Sequence, residues 1–134
     1  MFLEAIAAVS LHCSVAESLV YQPGTRPGET TGPSYSAQLY VDYDRPYGYL
    51  KIDHPEAPGH IETTSVLVTD TRIRFLAGSF GMNRLNDAVV DRTTGVFTLE
   101  IMTPVRATGT RLPLRGTCTP GEPIELPERA APLF

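Results

Sequence analysis

Hydrophobic and polar residues alternate with a period of two along much of this chain, which is typical of β-strands with one buried face. The clearest example is the segment 96–102. The residues of its predicted core face are Phe97, Leu99 and Ile101. Just before it, Asp91 can accept hydrogen bonds from the backbone two residues on, and Gly95 tolerates the positive φ of a short turn. The pattern therefore predicts a β-hairpin over residues 89–102.

The same alternation predicts further strands, separated by segments rich in proline and glycine. The predicted strands are 9–15, 35–43, 49–53, 61–69, 72–77, 85–90 and 111–117. The predicted loops and turns between them are 22–34, 44–48, 54–60 and 78–83. Short strands at this spacing indicate an all-β, single-domain protein, built as an antiparallel meander, a small sandwich or a barrel.

The two ends of the chain differ from the strand-rich middle, so we divide it into three parts. Residues 1–8 form an N-terminal segment, for which propensity predicts a short helix and the apolar composition alternatively indicates a signal-peptide remnant. Residues 9–118 form the β-domain. Residues 119–134 are a proline-rich tail, which we expect to be extended or disordered.

Length and charge exclude some classes of protein. A chain of 134 residues is long enough to bury a core as one domain. The formal net charge of −4 argues against binding nucleic acid through bulk charge. We find no apolar run near the ~20 residues that a membrane-spanning helix needs, and so expect no membrane insertion.

The chain has two cysteines, one near each end of the predicted β-domain. A bond between Cys13 and Cys118 would join the first and last strands, and thus the two ends of the predicted sheet. Closure of so long a loop is worth about 4–5 kcal/mol in the chain-entropy model. Such a disulfide implies an oxidising compartment. The alternative is two buried free thiols.

Two stretches of the last third, V-D-R-T-T-G-V-F at 90–97 and R-G-T-C at 115–118, resemble a pattern in small bacterial and prophage β-rich proteins. Proteins of that kind often begin with a signal peptide, carry a cysteine near the mature N-terminus, as Cys13 is here, and close on Gly-x-Cys. The resemblance implies an exported β-domain, periplasmic or secreted, and implies no activity. The alternative locations are a phage particle and the cytoplasm.

Tyrosines are concentrated in one part of the chain, between residues 35 and 49. Tyrosine is enriched in protein interfaces because it offers a large contact area at low entropic cost. Tyr35 and Tyr43 fall on the predicted core face, whereas the others lie on the opposite face or beside a turn. The predicted contact residues of this segment are Tyr40, Tyr47 and Tyr49.

Arg72 and Arg74 lie two positions apart and therefore share one face of a predicted strand. Their planar guanidinium groups could bind carboxylates or phosphates of a partner. The alternative is that they form the solvated side of an amphipathic strand. We include both among the predicted binding residues.

Residues 53–60 contain the most suggestive group of titratable side chains. Asp53, His54 and Glu56, with His60, are residue types that act as general bases or metal ligands. They also have the composition of a solvent-facing turn. We find no hydrolase, metalloprotease, phosphate-loop or dinucleotide motif, so we predict no enzyme, no cofactor and no metal.

The function predicted from these patterns is protein–protein binding by a small β-domain that is exported or prophage-encoded. One alternative is a structural component of a phage or phage-like particle, with the tail and the 22–34 loop as extended arms. The other is a metal-dependent or acid–base enzyme at the 53–60 loop. We expect a protein partner and no nucleic acid, and leave a homo-oligomer open.

Overall fold

A computed structural model describes residues 8–44, 46–80, 83–104 and 111–127. The regular structure of these residues consists of ten β-strands. In chain order they are β1 (Ala8–Ser18), β2 (Thr30–Asp42), β3 (Tyr47–His54), β4 (Ala57–Thr63), β5 (Val66–Val68), β6 (Arg72–Phe75), β7 (Gly78–Phe80), β8 (Asn83–Asp91), β9 (Val96–Met102) and β10 (Arg111–Pro120). The prediction of an all-β, single-domain protein is confirmed.

The strands form one antiparallel sheet in the order β4-β3-β2-β1-β10-β9-β8-β6-β5, and β7 pairs with β8. Two meanders make up most of it. One contains β1 to β4, the other contains β8 to β10, and they join where β1 pairs with β10. The sheet curls until β7 lies against β4, which gives a nearly closed barrel.

Glycines allow the walls of this barrel to approach closely. A Cβ at Gly78 of β7 would overlap the side chain of Ile61 in β4. A Cβ at Gly48 of β3 would lie 2.7 Å from Cζ of Phe75 and 2.8 Å from Cγ2 of Val66. Both positions lack room for a side chain, because protein interiors are packed near crystal density.

The core fills the inside of the barrel with the inward side chains of nearly every strand. Its largest fully buried members include Phe75, Phe97, Leu39, Leu50, Ile52, Ile61, Ile101, Leu112 and Leu114. The predicted core face of 96–102 is confirmed, since Phe97, Leu99 and Ile101 are at most 4% exposed. Tyr35 and Tyr43 pack against the edge of this core, as predicted.

The predicted hairpin over residues 89–102 is formed by β8 and β9. Oδ1 of Asp91 accepts hydrogen bonds from the backbone N–H groups of Thr93 at 2.8 Å and Thr94 at 3.1 Å. Gly95 has φ of 78° and donates its N–H to the Asp91 carbonyl at 2.8 Å. A side chain would be strained at this backbone angle, so the turn needs glycine there.

Cys13 and Cys118 are paired as a disulfide, with their Cα atoms 4.0 Å apart. They lie directly opposite each other in β1 and β10. The N–H of Cys118 donates to the Gly95 carbonyl, which lies on the side of β10 away from β1. The two cysteines therefore form a non-hydrogen-bonded pair, the kind with the shorter Cα–Cα distance in an antiparallel ladder. The expectation that the bond joins the ends of the sheet is wrong. The first and last strands, β1 and β10, are neighbours in the middle of the sheet, and the bond links the two meanders.

Three predicted loops are partly strand. Residues 30–34 belong to β2, because Thr30 and Thr31 pair with the end of β1 beyond a bulge. The 54–60 loop is only a short turn at 55–56, after which β4 begins at Ala57. Pro58 is tolerated there because β4 ends the hydrogen-bonded order of the sheet and pairs with β3 alone. The predicted crossing at 78–83 likewise contains β7.

The first and last strands extend slightly beyond the predicted bounds of the β-domain, 9–118. Ala8 already belongs to β1, and the rest of the predicted N-terminal helix lies outside the described residues. The strand β10 runs to Pro120, and the residues 121–127 that follow lie across β1. The tail is thus extended up to residue 127, and residues 128–134 lie outside the described part.

The described residues include no helix of the length and apolar character needed to cross a membrane.

Candidate functional site

The outward side chains of β1 to β4 form an ordered surface. The register of the strands aligns them in two rows that cross the sheet. One row is Ser10, Tyr40, Tyr49 and Glu62, and the other is His12, Gln38, Lys51 and His60. We call these eight residues, together with Tyr47 beside the first row, the tyrosine face. All three tyrosines predicted from the sequence lie on it.

Aromatic rings on the tyrosine face contact one another. The rings of Tyr40 and Tyr47 are 6.0 Å apart between centroids, and those of Tyr49 and His60 are 5.5 Å apart. Both distances are in the range of favourable ring pairs. The hydroxyl of Tyr47 is 3.4 Å from Oε1 of Glu62. Contacts between neighbours restrict the side-chain rotamers, which lowers the entropic cost when such a surface binds a partner.

Residues 121–127, which we call the C-terminal segment, lie over the tyrosine face. The N–H of Gly121 donates to the Ser10 carbonyl at 3.1 Å, and the N–H of Ile124 donates to Ser10 Oγ at 3.2 Å. The His12 ring donates from Nε2 to the Glu122 carbonyl at 2.9 Å. The segment therefore starts on β1, and farther along it borders a groove with side chains of β2, β3 and β4.

The C-terminal segment covers apolar surface on the outside of the barrel. Ile124 is 8% exposed, although it belongs to no strand and is not part of the core cluster inside the barrel. Tyr49 is 4% exposed, although its side chain points away from the core, as the alternation with buried Leu50 requires. Both residues line the same groove with Lys51 and His60. An outward tyrosine this deeply buried must be covered from outside the sheet.

The environment of Tyr49 opposes ionisation of its hydroxyl. Burial is the main cause that raises its pKa above the ordinary value of 10.0. Nearby Tyr47 and the carboxylates of Glu62, Asp53 and Glu125 add to the shift, since they disfavour a second negative charge. The contribution of Glu125 indicates that the C-terminal segment brings its charge close to this hydroxyl.

The predicted arginine pair lies elsewhere on the barrel. Arg72 and Arg74 share the exposed face of β6, as predicted, and Nε of Arg74 is 2.9 Å from Oδ1 of Asp87. Arg72 lines an outer groove with side chains of β8, β9 and β10, none of which belongs to the tyrosine face. The structure therefore does not bring these arginines together with the tyrosines. The ion pair with Asp87 agrees with the alternative of a solvated strand face.

A second outer groove lies where residues 19–29 cross β9 and β10. The hydroxyl of Tyr21 donates to Oε2 of Glu100, and this hydrogen bond is the main cause that raises the pKa of Tyr21. The guanidinium of Arg111 lies 5.3 Å from the Tyr21 ring centroid and 3.5 Å from the same carboxylate. These contacts fix the loop onto the sheet, so we assign them a structural role.

One end of the barrel holds a cluster of titratable side chains. His54 is 2% exposed, and its ring lies 4.4 Å from that of Tyr35. Its Nδ1 accepts the backbone N–H of Glu56 at 3.0 Å. Metal-ligating atoms of Glu17, His54 and Glu56 all lie within 4.8 Å of one another. All three residues also take part in further interactions.

This cluster differs from the group that the sequence suggested. His54 and Glu56 of that group come together, but His60 lies on the outer tyrosine face and belongs to the other side of the sheet. Its place is taken by Glu17, which is 37 positions before His54. No sequence motif links residues this far apart, so only the pairing of β1, β2 and β3 could reveal the contact between Glu17 and His54.

Comparison with protein-family models, with curated proteins and with solved structures found no match to this chain. The resemblance to exported prophage proteins therefore stays a prediction, and function has to be argued from the geometry. The tyrosine face offers hydroxyl, amide, imidazole and ammonium groups around aromatic rings. Such a surface is suited to contact with another polypeptide.

Proposed function

We propose that this protein is a non-enzymatic protein-binding domain whose contact surface is the tyrosine face. The observation that carries the proposal is the C-terminal segment, which lies on that face and buries Ile124 there to 8% exposure. A surface that already packs an extended segment of polypeptide has the shape and the donors to pack another. Arg72 and Arg74 are a separate surface and have no role in this contact.

Selection of peptides from a displayed random library on the full-length protein tests the proposal. We expect the selected peptides to lose at least about tenfold in affinity for a Tyr40→Ala/Tyr47→Ala variant, since truncation of aromatic contact residues costs 1–2 kcal/mol or more. An Arg72→Ala/Arg74→Ala variant is the matched control, because it removes two exposed side chains of β6 that do not belong to the tyrosine face. Equal binding to wild-type protein and to the tyrosine variant would contradict the proposal.

The proposal includes a location outside the reducing cytoplasm. Support comes from the paired cysteines, since disulfides of structural type persist in oxidising compartments. Intact mass of the protein from its native host, alkylated with and without reduction, provides the test. Two thiols that react only after reduction agree with export. Two thiols that react at once would place the protein in the cytoplasm or inside a particle, and the particle-component hypothesis would then become the better one.

The spacing of Glu17, His54 and Glu56 favours a second candidate function, a divalent-cation site. Two carboxylates are common partners of imidazole at such sites. Because Nδ1 of His54 accepts a backbone hydrogen bond, the neutral ring holds its proton on Nε2, and a bound cation would displace that hydrogen bond and take the lone pair of Nδ1. Equilibrium dialysis against Zn²⁺ should then give one bound ion per chain, lost in His54→Ala and kept in His60→Ala. Equal zinc content in wild-type protein and His54→Ala excludes this candidate.

A further inference from the structure

We infer that the tyrosine face recognises an extended acidic segment with an aliphatic anchor beside proline, in competition with the protein's own C-terminal segment. This inference rests on the proposed function and names the chemistry of the partner. It starts from the residues that lie on the face in this structure, since their sequence shows which chemical groups the face accommodates.

The anchor is aliphatic. Ile124 is the buried residue of the C-terminal segment, whereas Gly121, Glu122, Pro123 and Glu125 are exposed. Burial of an aliphatic side chain of this size favours binding strongly, because the gain scales with the apolar area removed from water. A partner of the tyrosine face thus needs an aliphatic side chain where Ile124 lies, and its residues at the exposed positions of the segment can vary.

The prolines of the segment favour an extended backbone. Pro123 directly precedes the anchor and Pro127 follows three residues after it. Proline fixes φ near −65° and favours extended conformations, so less conformational entropy is lost when the segment packs on the sheet. Proline-rich ligands of aromatic grooves use the same advantage. Two hydrogen bonds then set the direction in which the segment crosses the strands: Ser10 Oγ accepts from the Ile124 N–H, and the His12 ring donates to the Glu122 carbonyl.

Charge also favours an acidic partner. The anchor is flanked by Glu122 and Glu125, both exposed. The row of the tyrosine face that lines the groove carries Lys51, the one lysine of the chain, with His60 beside it. Opposite charges at the rim of a contact speed association and select against wrongly charged partners.

The C-terminal segment competes with an external partner because it is covalently joined to the domain. The C-terminal segment directly follows β10, whose last residue, Pro120, lies opposite Leu11 of β1. A ligand joined by so short a connection has an effective concentration in the millimolar range. An external peptide of the same sequence therefore binds poorly to the wild-type protein until the internal segment is weakened.

The experiment uses the full chain and a fluorescent peptide, T-P-G-E-P-I-E-L-P, the sequence of residues 119–127. In Ile124→Ala the internal segment loses its anchor, and we expect the peptide to bind this variant at least about tenfold more tightly than wild-type protein. Val20→Ala, which shortens an aliphatic side chain that is 63% exposed, is the matched control and should bind as wild-type protein does. A peptide with alanine in place of isoleucine should not bind.

Lys51→Glu combined with Ile124→Ala should weaken peptide binding at least about tenfold, because the rim charge is reversed. Hydrogen exchange of residues 121–127 shows whether Ile124→Ala has released the segment. If it has not, Gly121→Val is the second variant, since a Cβ at Gly121 would overlap the His12 ring.

A released segment without peptide binding would overturn the inference, as would equal binding of the alanine peptide or no effect of Lys51→Glu. These failures leave the proposed function intact when library-selected peptides still depend on Tyr40 and Tyr47. Loss of that dependence refutes the proposed function itself, so the two failures are distinguishable.

Discussion

At the scale of single residues, a glycine allows the backbones of β1 and β10 to approach closely. A Cβ at Gly116 of β10 would overlap the Ser14 carbonyl oxygen of β1. The two strands can therefore pair at this point only with glycine in that position. The constraint is one of space, since no positive φ occurs at Gly116.

We expect Gly116→Ala to destabilise the protein by at least about 3 kcal/mol, because strands that join the two halves of the barrel must separate to admit the methyl group. Urea unfolding followed by far-ultraviolet circular dichroism measures the loss. Thr117→Ala, at the exposed neighbouring position, is the control and should change stability far less. A Gly116→Ala variant as stable as Thr117→Ala would show that the strands do not pair in this register.

Ionisation of Tyr49 makes the stability of the folded protein depend on pH. Its pKa is raised in the folded protein, so the folded state keeps a proton that the unfolded state releases just above pH 10. The associated stability is fully present below pH 10 and is lost as the pH rises through the raised pKa. Tyr49→Phe cannot ionise, and its free energy of unfolding should fall less between pH 9 and 11.5 than that of wild-type protein. Tyr21→Phe, measured in parallel, separates the similar contribution of the 19–29 loop.

At the scale of elements, the β8–β9 hairpin depends on its turn. Hydrogen bonds from the N–H groups of Thr94 and Thr93 lower the pKa of Asp91 from its ordinary value of 3.8. A lowered pKa means that the folded state stabilises the carboxylate. This contribution is present above pH 3.8 and is lost as the pH falls through the lowered pKa.

We therefore expect Asp91→Ala to lower the melting temperature at pH 7, and the difference from wild-type protein to shrink as both are acidified below pH 4. Thermal unfolding across pH 2–7 tests this expectation. Asp70→Ala, which removes a carboxylate from another exposed turn, is the matched control. A constant difference at every pH would mean that Asp91 acts through something other than its charge.

At the scale of the whole molecule, the two meanders are joined by one strand pair and one covalent bond. Cys13 and Cys118 are 105 positions apart, so the bond closes most of the chain into a loop. In the chain-entropy model such a bond restricts the unfolded state and thereby stabilises the folded one.

A Cys13→Ser/Cys118→Ser variant should lose about 2–5 kcal/mol of unfolding free energy relative to the oxidised protein. Guanidinium unfolding of the two proteins measures the difference. Wild-type protein in excess reductant is the control and should resemble the serine variant. Identical midpoints for all three samples would contradict a bonded pair in the starting material.

The alternation of apolar and polar residues determined the fold class, most strands, their core faces and the hairpin at Gly95. These features are local, because a period of two and a turn that needs positive φ are written in neighbouring residues. The tyrosine positions of the candidate surface were identifiable on the same grounds. Proline and glycine misled the prediction at residues 30–34 and 57–60, where pairing with a neighbouring strand outweighs local preference.

The tertiary structure alone decided which strands are neighbours and what lies over their outer faces. Neither the central position of the β1–β10 pair nor the meeting of Glu17 with His54 follows from any local pattern. The same holds for Ile124, an aliphatic residue of the proline-rich tail, which is buried because the segment after β10 lies across β1. Strand order and surface cover depend on contacts between distant parts of the chain, and a sequence pattern of short period contains no information about them.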